Sequence, residues 1–389
     1  MRYLGALAPA AALVSTVGAF EVSRHPIEPR CAYVRGLDIV NRTERDMTEL
    51  RRLFEDAPML VFPRKPGDDT FLTPIQFQEF LAEFDPDHDA DALERPSDYP
   101  DQMLHPFEQF PGAEHVYPRG TYDNLDVYGL RNLTIKPVPP FTDMHIWHSD
   151  LWGHPTKRPG MVTGFHIMDQ PLIGGDTDFI SGETVWEAMP EAVKKASSNM
   201  VLELDRTALF REESGADYSG VIKMRKPGTE RRDEGIQLVP LVVGPTPAVL
   251  PQAGYFHGVA GWSQQRSDAW LRAFMRDYVL PYRFSAQWKL GDVAVFSNRK
   301  FLHSSTPASR YLSYPDSATR LLLQCFLPTK KPLEFYMPAS FDDRALLEAG
   351  WAADEQLSAA AVKAARMYFS SHSHPAVVQS DAEEVVAAA

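Results

Sequence analysis

Many short apolar runs of strand length and few long helical stretches predict a mainly β chain with peripheral helices, folded as a jelly-roll barrel. Met59-Leu60-Val61-Phe62 and Val293-Ala294-Val295-Phe296 are apolar throughout, and Leu321 to Leu327 is broken only by Gln324. Turn signals separate the runs. Gly174-Gly175 reads as a tight turn, and Gly291-Asp292 as a hairpin turn entering the strand that delivers His303.

In chain order, residues 1–20 form a leader: Met1-Arg2 precede an apolar stretch, and Val17-Gly18-Ala19 matches a small-residue cleavage site. A removable signal and an alanine-rich leader without a targeting role both fit. Location therefore stays open between secretory or organellar targeting and the cytoplasm. Pro9 and the small residues make this stretch a poor membrane span. Residues 21–330 read as one domain. Cys31 to Val40 is a strand ending at a turn, Thr43 to Asp56 a charged amphipathic helix, and Met59 to Phe62 a short buried strand. Thr73, Pro74 and Gln76 are a cap, a first-turn proline and a capping-box partner for a helix reaching about Phe84. Residues 86–120 read as a long irregular insertion, and Leu125 to Lys136 as a strand. Met161 to Met168 is strand-like; Glu183 to Ala188 and Pro190 to Ala196 are helical, and Ser263 caps a helix reaching about Tyr278. Residues 331–389 form an extension, helical from Ala353 to Tyr368, with a disordered tail from Ser370.

Composition narrows the function. A formal charge of −13 argues against nucleic acid or an anionic membrane as the main partner and leaves a small molecule as the expected one. Homo-oligomerisation stays open. The acidic run Asp85 to Asp91 reads as a solvated loop in preference to a cation site. Only two cysteines, Cys31 and Cys325, are present, so neither a disulfide framework nor a zinc-finger pattern exists.

The chemistry lies in Trp147-His148-Ser149-Asp150. On extended backbone a His-x-Asp pair puts both side chains on one face. A distant His303 completes two imidazoles and one carboxylate, a ligand set that leaves positions of an Fe(II) open for a cosubstrate and O2. The spacing alone is weak, because 12 histidines and 52 acidic residues give roughly one or two such pairs by chance.

Context strengthens it: Gly174-Gly175-Asp176-Thr177-Asp178-Phe179, then Trp288-Lys289-Leu290-Gly291-Asp292, Asn298-Arg299, His303 and Arg320 follow in order. With these motifs, from about Glu21 to Pro328, the chain resembles the taurine dioxygenase/2,4-dichlorophenoxyacetate dioxygenase family of Fe(II)- and 2-oxoglutarate-dependent enzymes. The resemblance implies a double-stranded β-helix, with His148, Asp150 and His303 as metal ligands. It also implies Thr177 and Arg320 as the donors to the distal carboxylate of 2-oxoglutarate, a role that suits the planar fork of arginine. Arg310 is the competing arginine. Trp147, Trp288, Asp292 and Asn298 read as supports of the fold, and Tyr117 as a substrate-pocket residue or a packed loop tyrosine.

Gln324 departs from the family pattern. Sulfonate-binding members carry a second arginine four residues after the cosubstrate arginine, so a sulfonate here lacks its expected partner. Arg119 is the nearest candidate for a compensating cation. The expected activity is hydroxylation of a small organic molecule, with 2-oxoglutarate decarboxylated to succinate. Desaturation or ring formation on the same site, and a barrel-shaped binding protein that has lost catalysis, are the alternatives. The carboxylate at Asp150 argues against halogenation, which needs that position open to halide.

Overall fold

The computed structural model describes residues 15–17, 20–65, 67, 71–92, 109–135, 146–152, 159–171, 174–205, 214–216, 223–225, 236–306 and 319–372. Among these, nine strands form a major sheet in the order Ser15–Val17, Phe20–Arg24, Cys31–Arg35, Met59–Phe62, Val293–Ser297, Val162–Asp169, Arg320–Phe326, Val116–Val127 and Leu130–Ile135. Neighbours are antiparallel except Cys31–Arg35 beside Met59–Phe62, a parallel pair joined through the helix Glu44–Asp56. A minor sheet of Phe284–Ala286, Thr177–Ser181 and Phe301–Ser305 packs against one face of the major sheet. The result is the jelly roll expected from the many short strands.

Both faces of the central strands are covered, which explains their continuous apolar runs. Ala294, Phe296 and Leu322 face the minor sheet. Val293, Val295, Leu323 and Cys325 face the other way, toward the helices Glu44–Asp56 and Pro74–Ala82. Both helices start on capping boxes, Thr43 with Asp46 and Thr73 with Gln76. Strand alternation then decides which polar residues enter the space between the sheets. Arg320 and Gln324 share the inward face of Leu322. Thr177 shares that of Phe179, and His303 that of Phe301.

Four segments differ from expectation. Of the stretch expected as one strand, Leu125 to Lys136, the described residues as far as Ile135 are part of a hairpin: Val116–Val127 turns back into Leu130–Ile135 through Tyr128-Gly129, both at positive φ (44° and 92°). That is the geometry of a two-residue hairpin turn, unusual for tyrosine and therefore hidden from turn statistics. The end of the supposed irregular insertion, from Val116 onward, is strand. The first Cys31 strand stops at Arg35, where Gly36 takes φ +90°. Gly291-Asp292 opens Val293–Ser297 of the major sheet, not the strand of His303, because the turn at 298–300 crosses to the minor sheet before Phe301–Ser305.

The extension packs against the strand Val201–Leu204 and the helices Glu191–Ser198 and Gln264–Phe274. Its helix runs Glu355–His372, and Trp351, Ala361 and Val362 join the largest apolar cluster together with Trp147, Trp152, Ile180 and Leu302. The tail expected from Ser370 is helical through His372, because the last turns of that helix pack Tyr368 and Phe369 against Val201 and Ala260; its remainder lies outside the described residues. Among the described residues no helix is long and apolar enough to cross a membrane.

Phe179 is fully buried between the sheets, with the rings of Phe296 (5.1 Å) and Phe284 (5.9 Å) around it. Phe179→Ala should therefore lower the unfolding free energy by about 3–5 kcal/mol. Urea denaturation followed by tryptophan fluorescence measures this, and a change under about 1 kcal/mol would contradict the packing.

Candidate metal centre

His148 and Asp150 lie on an irregular segment that makes a single bridge to the minor sheet. His148 N–H donates to the His303 carbonyl at 3.1 Å, and His303 N–H returns to the His148 carbonyl at 2.8 Å. This bridge sets the two imidazole rings 4.4 Å apart. Asp150 completes the group: one carboxylate oxygen lies 3.8 Å from His148 Nε2 and the other 3.8 Å from His303 Nε2. One donor atom from each of the three lies within 4.8 Å of the others. Such a set fits a divalent transition metal such as Fe(II).

The imidazoles are held differently. His148 Nδ1 lies 2.7 Å from the Ile146 carbonyl. The contact requires Nδ1 to carry the proton, so Nε2 presents its lone pair to the centre. Among the described residues His303 Nδ1 has no hydrogen-bond partner, and its ring is fixed by packing against Phe165, Phe179 and Phe296. Burial, with the His148 ring beside it, pushes the His303 pKa well below the ordinary histidine range. A neutral imidazole is the ligating form.

Asp150 is fixed at both its backbone and its side chain. The Asn298 amide spans its peptide, accepting from Asp150 N–H and donating to its carbonyl, both at 2.7 Å. Its Oδ2 accepts from Gln324 Nε2 at 3.2 Å and Thr163 Oγ1 at 3.3 Å. Asn298, read from the sequence only as a support, thus acts directly on the carrier of the ligand.

Thr177 and Arg320 come together as a buried pair. Thr177 Oγ1 accepts from Trp288 Nε1 at 3.0 Å and from an Arg320 terminal nitrogen at 3.4 Å. Gly120, on the neighbouring strand, pairs with Leu321: a Cβ there would stand 1.9 Å from the Arg320 carbonyl, so only glycine fits. Gly175, at φ +77°, makes the turn that precedes Thr177. Arg310, the competing arginine, lies outside the described residues.

Gln324 points into the site as its strand position requires. Its Oε1 accepts from Arg119 Nε at 3.0 Å, so a guanidinium of the neighbouring strand stands beside the amide. Tyr117 pairs with Gln324 across the same two strands, is fully buried, and stacks on Phe326 at 4.9 Å and 9°. It belongs to a strand, not a loop, and backs Gln324.

Two contacts at the site carry no signal in the sequence. Thr163 is one of several threonines in apolar strands and has no local signature. Gln252 bonds Ser149 from a turn 103 residues away. Nothing short of tertiary structure connects either to the ligands.

A profile of the taurine catabolism dioxygenase TauD, TfdA family matches residues 23–326. An (S)-phenoxypropionate/alpha-ketoglutarate-dioxygenase of Sphingobium herbicidovorans is 23% identical over 176 residues, 41% of this chain and 56% of that protein. A Schizosaccharomyces pombe protein, provisionally named an alpha-ketoglutarate-dependent sulfonate dioxygenase, is 22% identical over 289 residues, 71% of this chain and 64% of its own length. The chain thus covers less than two thirds of either relative. Among solved structures, a taurine dioxygenase from Burkholderia xenovorans superposes with a TM-score of 0.55 at 16% identity, over 88% of this chain and 99% of that one. That likeness concerns the fold.

Calorimetric titration with Mn(II) should give one site per chain, and His148→Ala should abolish it. Unchanged Mn(II) affinity in the variant would place the metal elsewhere.

Proposed function

This chain belongs to the TauD, TfdA family, and from that premise we propose that it is an Fe(II)- and 2-oxoglutarate-dependent dioxygenase hydroxylating a small organic molecule. The observation that carries the reading is the His148–Asp150–His303 cluster sharing one inter-sheet space with the Arg320–Thr177 pair. When bound, iron supplies the oxidising chemistry: one O2, one 2-oxoglutarate and one substrate C–H give C–OH, succinate and CO2.

The side chains of this protein hold and orient. His148, His303 and Asp150 would hold the metal. Thr163 and Gln324 keep the Asp150 carboxylate turned toward the imidazoles. Thr177 stands opposite Ser305, two residues, or about 7 Å, along the strand from the level of His303. A five-carbon diacid chelated at one end can reach that far, and the Arg320 fork with the Thr177 hydroxyl suits its distal carboxylate. The rings of Phe165, Phe179 and Phe296 around His303 exclude water and strengthen each charged contact.

For the substrate, we infer a neutral polar molecule, or an organic carboxylate with its cation supplied from elsewhere in the pocket, and no taurine turnover. Gln324 offers an amide where sulfonate-binding relatives have an arginine, and Arg119 already gives its Nε to that amide. A sulfonate desolvated beside the metal needs a fixed cation of its own.

Arg320→Ala should weaken 2-oxoglutarate by a factor corresponding to about 2–5 kcal/mol. The readout is anaerobic charge-transfer absorbance of the Fe(II) complex, and native affinity in the variant would remove Arg320 from the role. In oxygen-uptake assays, carboxylates should drive turnover and taurine should not. Taurine turnover matching the best carboxylate would overturn the substrate class.

A further inference from the structure

The three residues of the ligand-bearing segment are held by three different elements. His148 is held by the backbone of His303, Asp150 by the Asn298 amide, and Ser149 between them by Gln252. Gln252 uses both ends of its amide. Its Oε1 accepts from Ser149 N–H at 2.8 Å, and its Nε2 donates to Ser149 Oγ at 3.1 Å. Ser149 Oγ in turn donates to the Phe301 carbonyl at 2.8 Å, two residues before the third ligand. This chain of donors and acceptors runs in one direction only, so the amide orientation is fixed. Both Gln252 and Ser149 have no solvent exposure.

The turn that carries Gln252 grips the neighbouring residues as well. Gly254 N–H donates to the Trp147 carbonyl at 2.9 Å, and the Tyr255 ring meets the His148 ring edge-on at 5.6 Å and 75°. Gln252 adopts φ +50°, a conformation that side-chain-bearing residues disfavour; Leu151, directly after Asp150, adopts φ +63°. Two disfavoured backbones thus flank a ligand segment that belongs to no strand and is tied by side-chain amides.

Resting on the metal-centre reading above, we propose that Gln252 is a positioning residue: through Ser149 it sets the spacing of His148 and Asp150 before the metal arrives. Only a glutamine-like group serves both contacts. Leucine leaves the buried Ser149 N–H unpaired, and glutamate turns an acceptor toward an oxygen whose proton is already given to Phe301.

The test is titration of the full-length apo-protein with Co(II) alone, read by affinity and by the visible ligand-field spectrum, for Gln252→Leu and Gln252→Glu. A distant packing variant, Phe77→Leu, is the control for lost stability. The proposal expects roughly 10- to 100-fold weaker Co(II) binding and an altered spectrum in both Gln252 variants, with native values in the control. Folded Gln252 variants with a native spectrum and affinity within threefold of native overturn it. Should neither variant fold, Ser149→Ala carries the test, since it removes the acceptor of Gln252 Nε2 while keeping the backbone. A changed spectrum supports positioning, and a native one overturns it. If the native chain itself binds no Co(II), the metal-centre reading fails, a result distinct from native binding that the variants leave unchanged.

Discussion

Everything at the site depends on one backbone bridge, between His148 and His303. Its two hydrogen bonds contribute about 1 kcal/mol each at most in net stability, so they do not hold the segment alone. Their importance is geometric. They join residues 155 positions apart at a single register, and the ligand distances follow from that register. The energy comes from around them: Trp147 and Trp152 are fully buried on either side of the ligand pair, in the cluster under the minor sheet. Apolar burial anchors the segment, and the bridge aims it.

Much of this was legible in the sequence because strand alternation is a strict rule. Once Arg320–Phe326 is a strand, Arg320, Leu322 and Gln324 must share a face, and the two polar residues on that face of an otherwise apolar run mark it as the one toward the site. The same logic applies to Thr177 with Phe179 and to His303 with Phe301. Contacts formed by single side chains across the fold stayed hidden. Thr163 and Gln252 repeat with no period and sit in no motif, and their meaning exists only when distant segments meet. The hairpin at Tyr128-Gly129 escaped for a local reason, since tyrosine at positive φ contradicts the turn preferences from which such turns are recognised.

The amide of Gln324 has an enforced polarity. The Asp150 carboxylate only accepts hydrogen bonds and the Arg119 guanidinium only donates them. The nitrogen of Gln324 must therefore face the carboxylate, and its oxygen must face the arginine. A guanidinium in place of the amide would lie directly against the ligand carboxylate and compete with the metal for its charge. The neutral bridge keeps that charge for the metal while leaving a cation one strand further out.

The C-terminal helix adds a different kind of coupling. Trp351, Ala361 and Val362 share an apolar cluster with Trp147, beside His148, and the indole N–H of Trp262 donates to the Leu357 carbonyl. Residues outside the family-matched span therefore share one apolar cluster with the ligand segment. In the language of native-state hydrogen exchange, opening of the helix exposes Val201 and Ala260, the apolar residues that Ala365, Tyr368 and Phe369 cover.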